Sequence, residues 1–532
     1  MQKPSPQPVP TETQIASLSP VEIRGIFQSQ AQTIDALKHQ LEWFKRQMFG
    51  AKSERLALLE NTQQLPLAEL APSPESAAVK VQSVAAHTRR ASAGESVGEA
   101  DSVPFFDEAR VPIEIIPVPN REIEGLSADQ FEVIGEKTSY RLARRPGSYV
   151  VLKYVRTLIK RKDSQTIHCP SAPQGVIDGS RADVSFLAGL IVDKMAYHLP
   201  LYRQHQRLGD NGIRVSRAWL TQLIQQGIGL LEPIYAAQFD SIRASRVKAM
   251  DETPIKAGRS GHGKMKTGYF WPVYGGEDEV CFPFFPSRDA DHVRTALGAA
   301  HDAGAVLLTD GFAAYHGYAK KAGITHALCW SHCRRNFFEA HTDEPEGVEQ
   351  ALKQIAALYQ IEERIREHKL VGENKRLHRL THSKPHVEAF FHWIERQFER
   401  QGLTPTRPFT QALEYAHKRR LGLEVFLTDP DVPIDTNHLE RALRAIPMGR
   451  KSWNFCWTEL GAKHVGIAQS LIVTCRLHGI DPYVYLVDVL QRVGQHPAAG
   501  AAELTPRLWK RHFADNPLRS DLHYCLPSKT VA

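Results

Sequence analysis

The chain has 532 residues, is 42% apolar and carries a formal charge of +7 with a pI near 8.9. That balance fits a multidomain globular protein and permits a polyanionic partner. No run approaches the ~18–20 apolar residues of a membrane span, and Met1-Gln-Lys-Pro-Ser-Pro lacks the apolar core of a signal peptide. The seven scattered cysteines argue against a disulfide framework and for a reducing cytoplasm.

The first predicted element is a helix within 19–60. Ser19-Pro20-Val21-Glu22 supplies a cap, a first-turn proline and a glutamate three residues on, and Gly50 offers a stop. Phe27, Ile34, Leu41 and Met48 recur every seven residues, with Ile23, Leu37 and Phe44 on a second track that Gln30 interrupts. This pattern suits a dimerising coiled coil, or an amphipathic helix packed on its own chain. Residues 61–110, rich in Ala, Ser, Pro and Glu, read as a flexible linker.

Residues 111–180 read as a small β-rich module. Tyr149 to Lys162 alternates in part like a strand, and Arg141, Arg144, Arg145, Lys153 and Arg156 make it basic. A solvated strand face and a phosphate-binding face explain that charge equally well. Residues 181–244 read as helical, with a helix from Leu201, the turn Gly209-Asp-Asn-Gly, and a second helix capped by Ser216. The pair is helix-turn-helix-like, which makes Arg217, Thr221 and Gln222 candidate DNA contacts. Helical hairpins without that role are common.

A catalytic domain is predicted over 245–448. Strands at 247–255, 266–275 and 281–285 precede a helix near 289–300, a strand at 305–309, a strand from Ile324 and a helix from about Ser331 to His341. Three consecutive strands followed by alternating helix and strand is the order of a ribonuclease-H-like sheet, in which the first and fourth strands are neighbours. A charged helical insertion occupies about 345–430. Residues 449–500 read as a C-terminal helical element, with helices at 461–478 and about 482–493, and the tail 501–532 is assigned no structure.

The fold class expected is therefore an α/β ribonuclease-H-like core with a helical insertion, preceded by a coiled-coil helix, a small β-rich module and a helix-turn-helix-like module.

Asp251 and Asp310 end apolar strands, and Glu440 lies on a predicted helix. Such a set of carboxylates suits a pair of magnesium ions, each needing one or two acids, in a phosphoryl transfer. Taken singly, an acid after a strand is usually a turn former or helix cap, and Glu440 could simply pair with Arg444 at i+4. Asp435 and Asn437 precede the glutamate as supporting groups. Arg441, Arg444, Arg450, Lys451 and Trp453 follow, in a basic segment read as a loop around Gly449 that suits a DNA backbone. Cys329, His332 and Cys333 are a weak zinc signal, since adjacent His and Cys rarely reach one ion. His332 orienting the acidic edge and packing cysteines are the simpler expectations.

These residues carry a family resemblance. Asp251-Glu-Thr-Pro, Leu308 to Tyr315, Cys329 to Arg335, Ile434-Asp-Thr-Asn-His-Leu-Glu-Arg and Gly449-Arg-Lys-Ser-Trp-Asn-Phe resemble the insertion-sequence-66 transposases. His198-Leu-Pro-Leu-Tyr-Arg, Gly479 to Leu486 and the heptad helix ending in Phe49-Gly-Ala-Lys-Ser-Glu-Arg are similar too.

The resemblance implies a DDE transposase that nicks element ends and joins the freed 3′-hydroxyl to target DNA. Asp251, Asp310 and Glu440 would then be both catalytic and metal-binding. It implies magnesium, with manganese able to substitute, terminal inverted repeats and target DNA as partners, self-association through the N-terminal helix, and small accessory transposition proteins. The sequence departs from the family at three places. Residues 111–180 hold only Cys169 where the family commonly has paired cysteines, so zinc is not expected. Asp435-Thr436-Asn437 stands for Asp-Asn-Asn, and Arg444-Ala-Ile-Pro447 for an arginine-proline. A DNA-binding relic and a nuclease or resolvase that hydrolyses without joining are the alternatives.

Overall fold

Gly147, at φ 82°, turns the chain between two long strands in a backbone region that favours glycine. The structure is a computed structural model that describes residues 105–524 apart from 146, 262–263, 299–303, 401–402 and 454. The heptad helix expected at 19–60 and most of the linker lie outside the described residues. Residues 105–110, expected to be linker, belong to the fold: Phe106 is buried and bridges to Ile213, and the Asp107 N–H donates to Gly212.

The small β-rich module consists of β1 (Ile113–Val118), β2 (Phe131–Arg145), β3 (Ser148–Arg161) and β4 (Ile167–His168). β3 pairs with all three others, parallel to β1 and antiparallel to β2 and β4. The module's basic residues serve the fold. Arg144 pairs with Asp193 at 3.1 Å, Arg145 with Glu114 at 2.7 Å, and Arg156 donates to the Pro170 carbonyl at 3.3 Å. Arg141 donates to the Pro173 carbonyl and lies over the Tyr154 ring.

Helices Val184–Met195, Leu201–Asp210, Arg217–Leu230 and Glu232–Ala244 follow. Asp183 caps the first through the Ser185 N–H at 2.8 Å, and Ser216 caps the third through the Trp219 N–H at 3.1 Å.

The core strands are β5 (Val247–Met250), β6 (Thr253–Gly261), β7 (Lys264–Phe270), β8 (Val273–Tyr274), β9 (Val280–Cys281), β10 (Phe284–Phe285), β11 (Val306–Thr309), β12 (Thr325–Leu328) and β13 (Phe455–Cys456). They form two sheets, in the orders β12-β11-β5-β8-β9 and β10-β7-β6-β13. The three strands expected near 247, 266 and 281 are each split at one level, at Asp251-Glu252, Trp271-Pro272 and Phe282-Pro283. Pro272 and Pro283 lack the N–H a continuous ladder needs. Asp251 N–H still donates to the Pro272 carbonyl at 3.3 Å, and Trp271 N–H to the Pro283 carbonyl at 2.9 Å. Counted across that crease, the strand order is third-second-first-fourth-fifth, as expected for a ribonuclease-H-like core.

The helix Glu459–Leu477 lies across the crease. A Cβ on Gly466 would meet the Phe282 carbonyl at 2.3 Å, so only glycine permits this approach. Ser470 and Thr474 of the same helix accept from the Phe282 and Val280 N–H groups at 2.9 and 3.2 Å, covering the sheet edge.

The insertion is helical: Pro345–Glu367, Gly372–His378, a π turn at Arg379–Ser383, then Lys384–Phe398, Pro408–His417 and Arg420–Thr428. It packs against the helix Trp330–Glu339 through Phe337, Phe390, Trp393 and Phe409. The Trp330 indole donates to the Leu423 carbonyl at 2.9 Å.

Two expectations need correction. The segment around Gly449 is not a loop but the helix Ala445–Trp453. The Trp453 ring lies on Gly449, where a Cβ would come within 2.5 Å of it, so this glycine makes room for an indole. The tail is also structured: the helix Pro506–His512 buries Trp509, whose indole donates to Asp488 at 2.9 Å. Among the described residues no helix is long and apolar enough to cross a membrane.

Candidate active site

Parallel β5 and β11 align Val247 with Val306 and Ala249 with Leu308. Asp251 and Asp310 each stand two residues beyond that last pair, at the carboxyl ends of strands about 4.8 Å apart. Each turns as its strand ends. An Asp251 carboxylate oxygen accepts the Glu252 N–H at 2.8 Å, and one of Asp310 accepts the Phe312 N–H at 2.9 Å.

Glu440 arrives on the short helix Asn437–Leu443. Asp435 shapes its start by accepting the Asn437 N–H at 3.0 Å. The helix is tied to the end of β12, because the Trp330 N–H donates to the Ile434 carbonyl at 3.1 Å and Cys329 accepts two bonds from Thr436. The plain alternative for Glu440, a side-chain pair with Arg444 at i+4, does not form. Its nearest basic neighbours are the His332 imidazole and the Arg335 guanidinium on Trp330–Glu339, each at 3.8 Å.

The electrostatics show that the acids share one field. Burial pushes the Asp251 carboxyl up to about 7; the Glu252 N–H opposes this, while the charges of Glu252, Asp310 and Glu440 add to it. Burial lowers the His332 imidazole, against the pull of Glu440 and Asp310, so at neutral pH it is an uncharged donor or ligand.

Among the described residues, no three His, Cys, Asp or Glu side chains are gathered at ligating distance around one point. The donor set nevertheless suits a hard divalent cation. It is built of carboxylate oxygens, and the Glu440 Oε1 atom is buried without a hydrogen-bond partner. Mutual repulsion of the acids is the burden such a cation relieves.

Of the Cys-x-x-His-Cys run, Cys329 holds the glutamate helix, His332 faces Glu440 and Cys333 is fully buried. Arg441, Arg444 and Lys451 are exposed, whereas Arg450 is half-buried and donates to the Pro254 carbonyl. Arg217, Thr221 and Gln222 lie apart from the acids on Arg217–Leu230. Arg217 is exposed over the Tyr202 ring, and the Thr221 hydroxyl donates to the Arg217 carbonyl at 3.1 Å.

Sequence reasoning missed a shell around the acids. The Glu252 side chain is buried, accepts from the Tyr315 hydroxyl and pairs with Arg288, whose guanidinium sits 4.2 Å from the Phe312 ring centroid. From the insertion, Tyr415 donates to the Asp310 carbonyl and Arg419 to that of Gly311 at 3.3 Å. Only the adjacency of Glu252 to Asp251 was visible in the sequence; the other contacts are long-range.

Residues 179–464 match the family model described as "Transposase IS66 family", and residues 470–507 match "IS66 C-terminal element". Residues 36–95 match "Transposase C of IS166 homeodomain". Among curated relatives from Sinorhizobium fredii, uncharacterized protein y4hP is 28% identical over 513 residues, spanning 90% of each chain. Uncharacterized protein y4jD is 27% identical over 504 residues, 89% of this chain and 94% of its own. Uncharacterized protein y4qI is 27% identical over 506 residues, 91% of this chain and 90% of its own.

Proposed function

The chain belongs to the IS66 family of DDE transposases, and from that premise we propose that it cuts DNA at the ends of an insertion element and joins the freed 3′-hydroxyls to target DNA. Family membership carries transposition and DNA binding. The residue roles and the order of steps are our reading.

The observation that carries it is the placing of Asp251 and Asp310 side by side beyond β5 and β11, with Glu440 brought to the same field. Asp251, Asp310 and Glu440 would hold magnesium, with manganese as a substitute. When bound, the metal supplies charge neutralisation on the transferring phosphate and Lewis-acid activation of the attacking and leaving oxygens.

In the first step a water oxygen bonds to phosphorus as the P–O3′ bond breaks, leaving a 3′-hydroxyl. In the second, that hydroxyl bonds to a target phosphorus and a target P–O3′ bond breaks. His332, neutral and beside Glu440, orients that carboxylate. Tyr415 and Arg419 hold the Asp310-Gly311 backbone, so the second acid keeps its position as DNA arrives.

Arg217, Thr221 and Gln222 present a helix start to DNA, while Arg441, Arg444 and Lys451 offer exposed cations beyond the glutamate. Arg450 and Trp453 brace that segment from within. Residues 19–60 would pair with a second copy of the chain.

The test is mobilisation of a marked DNA segment bounded by the gene's own flanks, comparing wild type with Asp310→Asn. Movement by wild type alone supports the reading. Equal movement by both removes Asp310 from the chemistry. Cut but never joined products would make the protein a nuclease.

A further inference from the structure

The β6–β7 hairpin begins immediately after Glu252 and leads away from the acids. Residues 253–270 hold Lys256, Arg259, Lys264 and Lys266 and no acidic residue. Strand register sorts the two faces of the sheet, because paired residues share a face. Ile255, Ala257, Gly268 and Phe270 are buried on the side of the helix Glu459–Leu477.

The outer face holds the pairs Pro254–Tyr269 and Lys256–Thr267, joined by Phe285 from β10 and Phe455 from β13. Past a register shift, Arg259 is exposed, with its guanidinium 5.0 Å from the ring centroid of Trp457. Trp457 is 50% exposed and meets Phe455 edge-on at 4.9 Å.

A basic hairpin alone is usually a solvated face that keeps an edge soluble. What sets this face apart is that the half-exposed Trp457 ring lies beside the Arg259 guanidinium and against Phe455 rather than alone. Alternating cations and rings on one face instead match the chemistry that holds an unpaired nucleic-acid strand, with cations on phosphates and rings under bases. Lys256 lies about 13 Å from Glu252 along the strand, so a strand leaving the acids reaches it within a few nucleotides.

We propose that the outer face of β6, β7 and β13 binds an unpaired DNA strand leading from the active site, with Trp457 stacking on a base and Lys256 and Arg259 contacting phosphates. This rests on the transposase reading and adds to it a single-strand subsite on a surface separate from the helix-turn-helix-like pair.

The test uses the full chain and a fluorescein-labelled duplex of arbitrary sequence, either blunt or bearing a short unpaired thymine tail. Wild type should prefer the tailed duplex. Trp457→Ala should weaken the tailed complex about tenfold and leave the blunt one nearly unchanged, while Trp457→Phe should restore most of the preference. Lys256→Gln with Arg259→Gln should flatten the salt dependence of tailed binding by a slope of about 1.4.

Unchanged tailed binding in Trp457→Ala, or equal loss on both DNAs, overturns the proposal and leaves the transposase reading intact. Failure of wild type to bind either DNA overturns both. Thermal unfolding like that of wild type shows that a loss in a variant is local.

Discussion

Cys329 and Thr436 are joined twice: the Cys329 sulfur accepts hydrogen bonds from the Thr436 N–H and from its hydroxyl, each at 3.3 Å. The first follows β12 and the second opens the glutamate helix, so a buried thiol ties down the start of the helix that carries Glu440. Thr436 occupies the middle position of the altered Asp-Asn-Asn triplet, and its hydroxyl is one of the two donors. Cys329→Ala leaves both donors without that acceptor in a buried setting, at a cost of about 1–3 kcal/mol. Urea unfolding should show that loss, and strand transfer should fall further than DNA binding does. Equal activity in the variant would mean that the helix is held by other contacts.

Glu440→Gln removes the charge and keeps the shape. Binding to element ends should persist while cleavage and joining drop to background in magnesium and in manganese. Normal joining by this variant would assign the third acid elsewhere.

Arg379 is fully buried and gathers the chain just before the glutamate. It pairs with both oxygens of Glu362 at 2.7 and 2.8 Å and donates to the carbonyls of Phe426, Asp429 and Val432. Arg379→Met strands a carboxylate and three carbonyls and should destabilise the protein by about 3–5 kcal/mol. Adding Glu362→Leu should recover part of that loss in the same chemical-denaturation experiment; a double variant no better than the single would show that the carbonyls dominate.

His464 is buried in the helix Glu459–Leu477, and neither ring nitrogen has a hydrogen-bond partner. Burial, with Lys194 and Lys463 adding, lowers its imidazole from 6.5 to about 4. Between those values the unfolded chain binds a proton that the folded chain refuses. Stability is therefore unaffected above pH 6.5 and is lost as pH falls toward 4, by on the order of 3 kcal/mol in full. His464→Phe should gain melting temperature over wild type on going from pH 7 to pH 5. A difference that stays constant with pH would remove this histidine from the acid response.

Arg217→Ala should lower the salt slope of end binding by about 1 if its guanidinium sits on a phosphate. An unchanged slope would return the helical hairpin to a packing role.

Much of the core was legible because its signals are local. Apolar runs ending in Asp251 and Asp310 gave both the strands and the acids, and Ser216 marked a helix start that the Trp219 N–H confirms. The crease was legible in principle, since Pro272 and Pro283 interrupt their strands, but each proline is informative only once the other is known to lie beside it. Gly449 reads as a turn former in the sequence, whereas in the fold its missing Cβ makes room for the Trp453 ring four residues on. The Arg379 cluster and the Tyr415 and Arg419 contacts join segments from 17 to 108 residues apart, and no periodicity in one sequence encodes such pairs.

Asp310 and Glu440 are separated by 129 residues, most of them in the helical insertion. During synthesis the sheet with both aspartates leaves the ribosome first, and at ordinary elongation rates Glu440 follows on the order of ten seconds later. Over that interval the nascent protein already carries the helices Leu201–Asp210 and Arg217–Leu230 and the β6–β7 hairpin, yet lacks Glu440, the strand β13 that pairs with β6 and the helix that lies across the crease. A chain broken within the insertion would lack β13, Trp457 and the Ser470 and Thr474 acceptors that cover the sheet edge, so premature termination would leave an exposed, unfinished sheet rather than a smaller working copy of the protein.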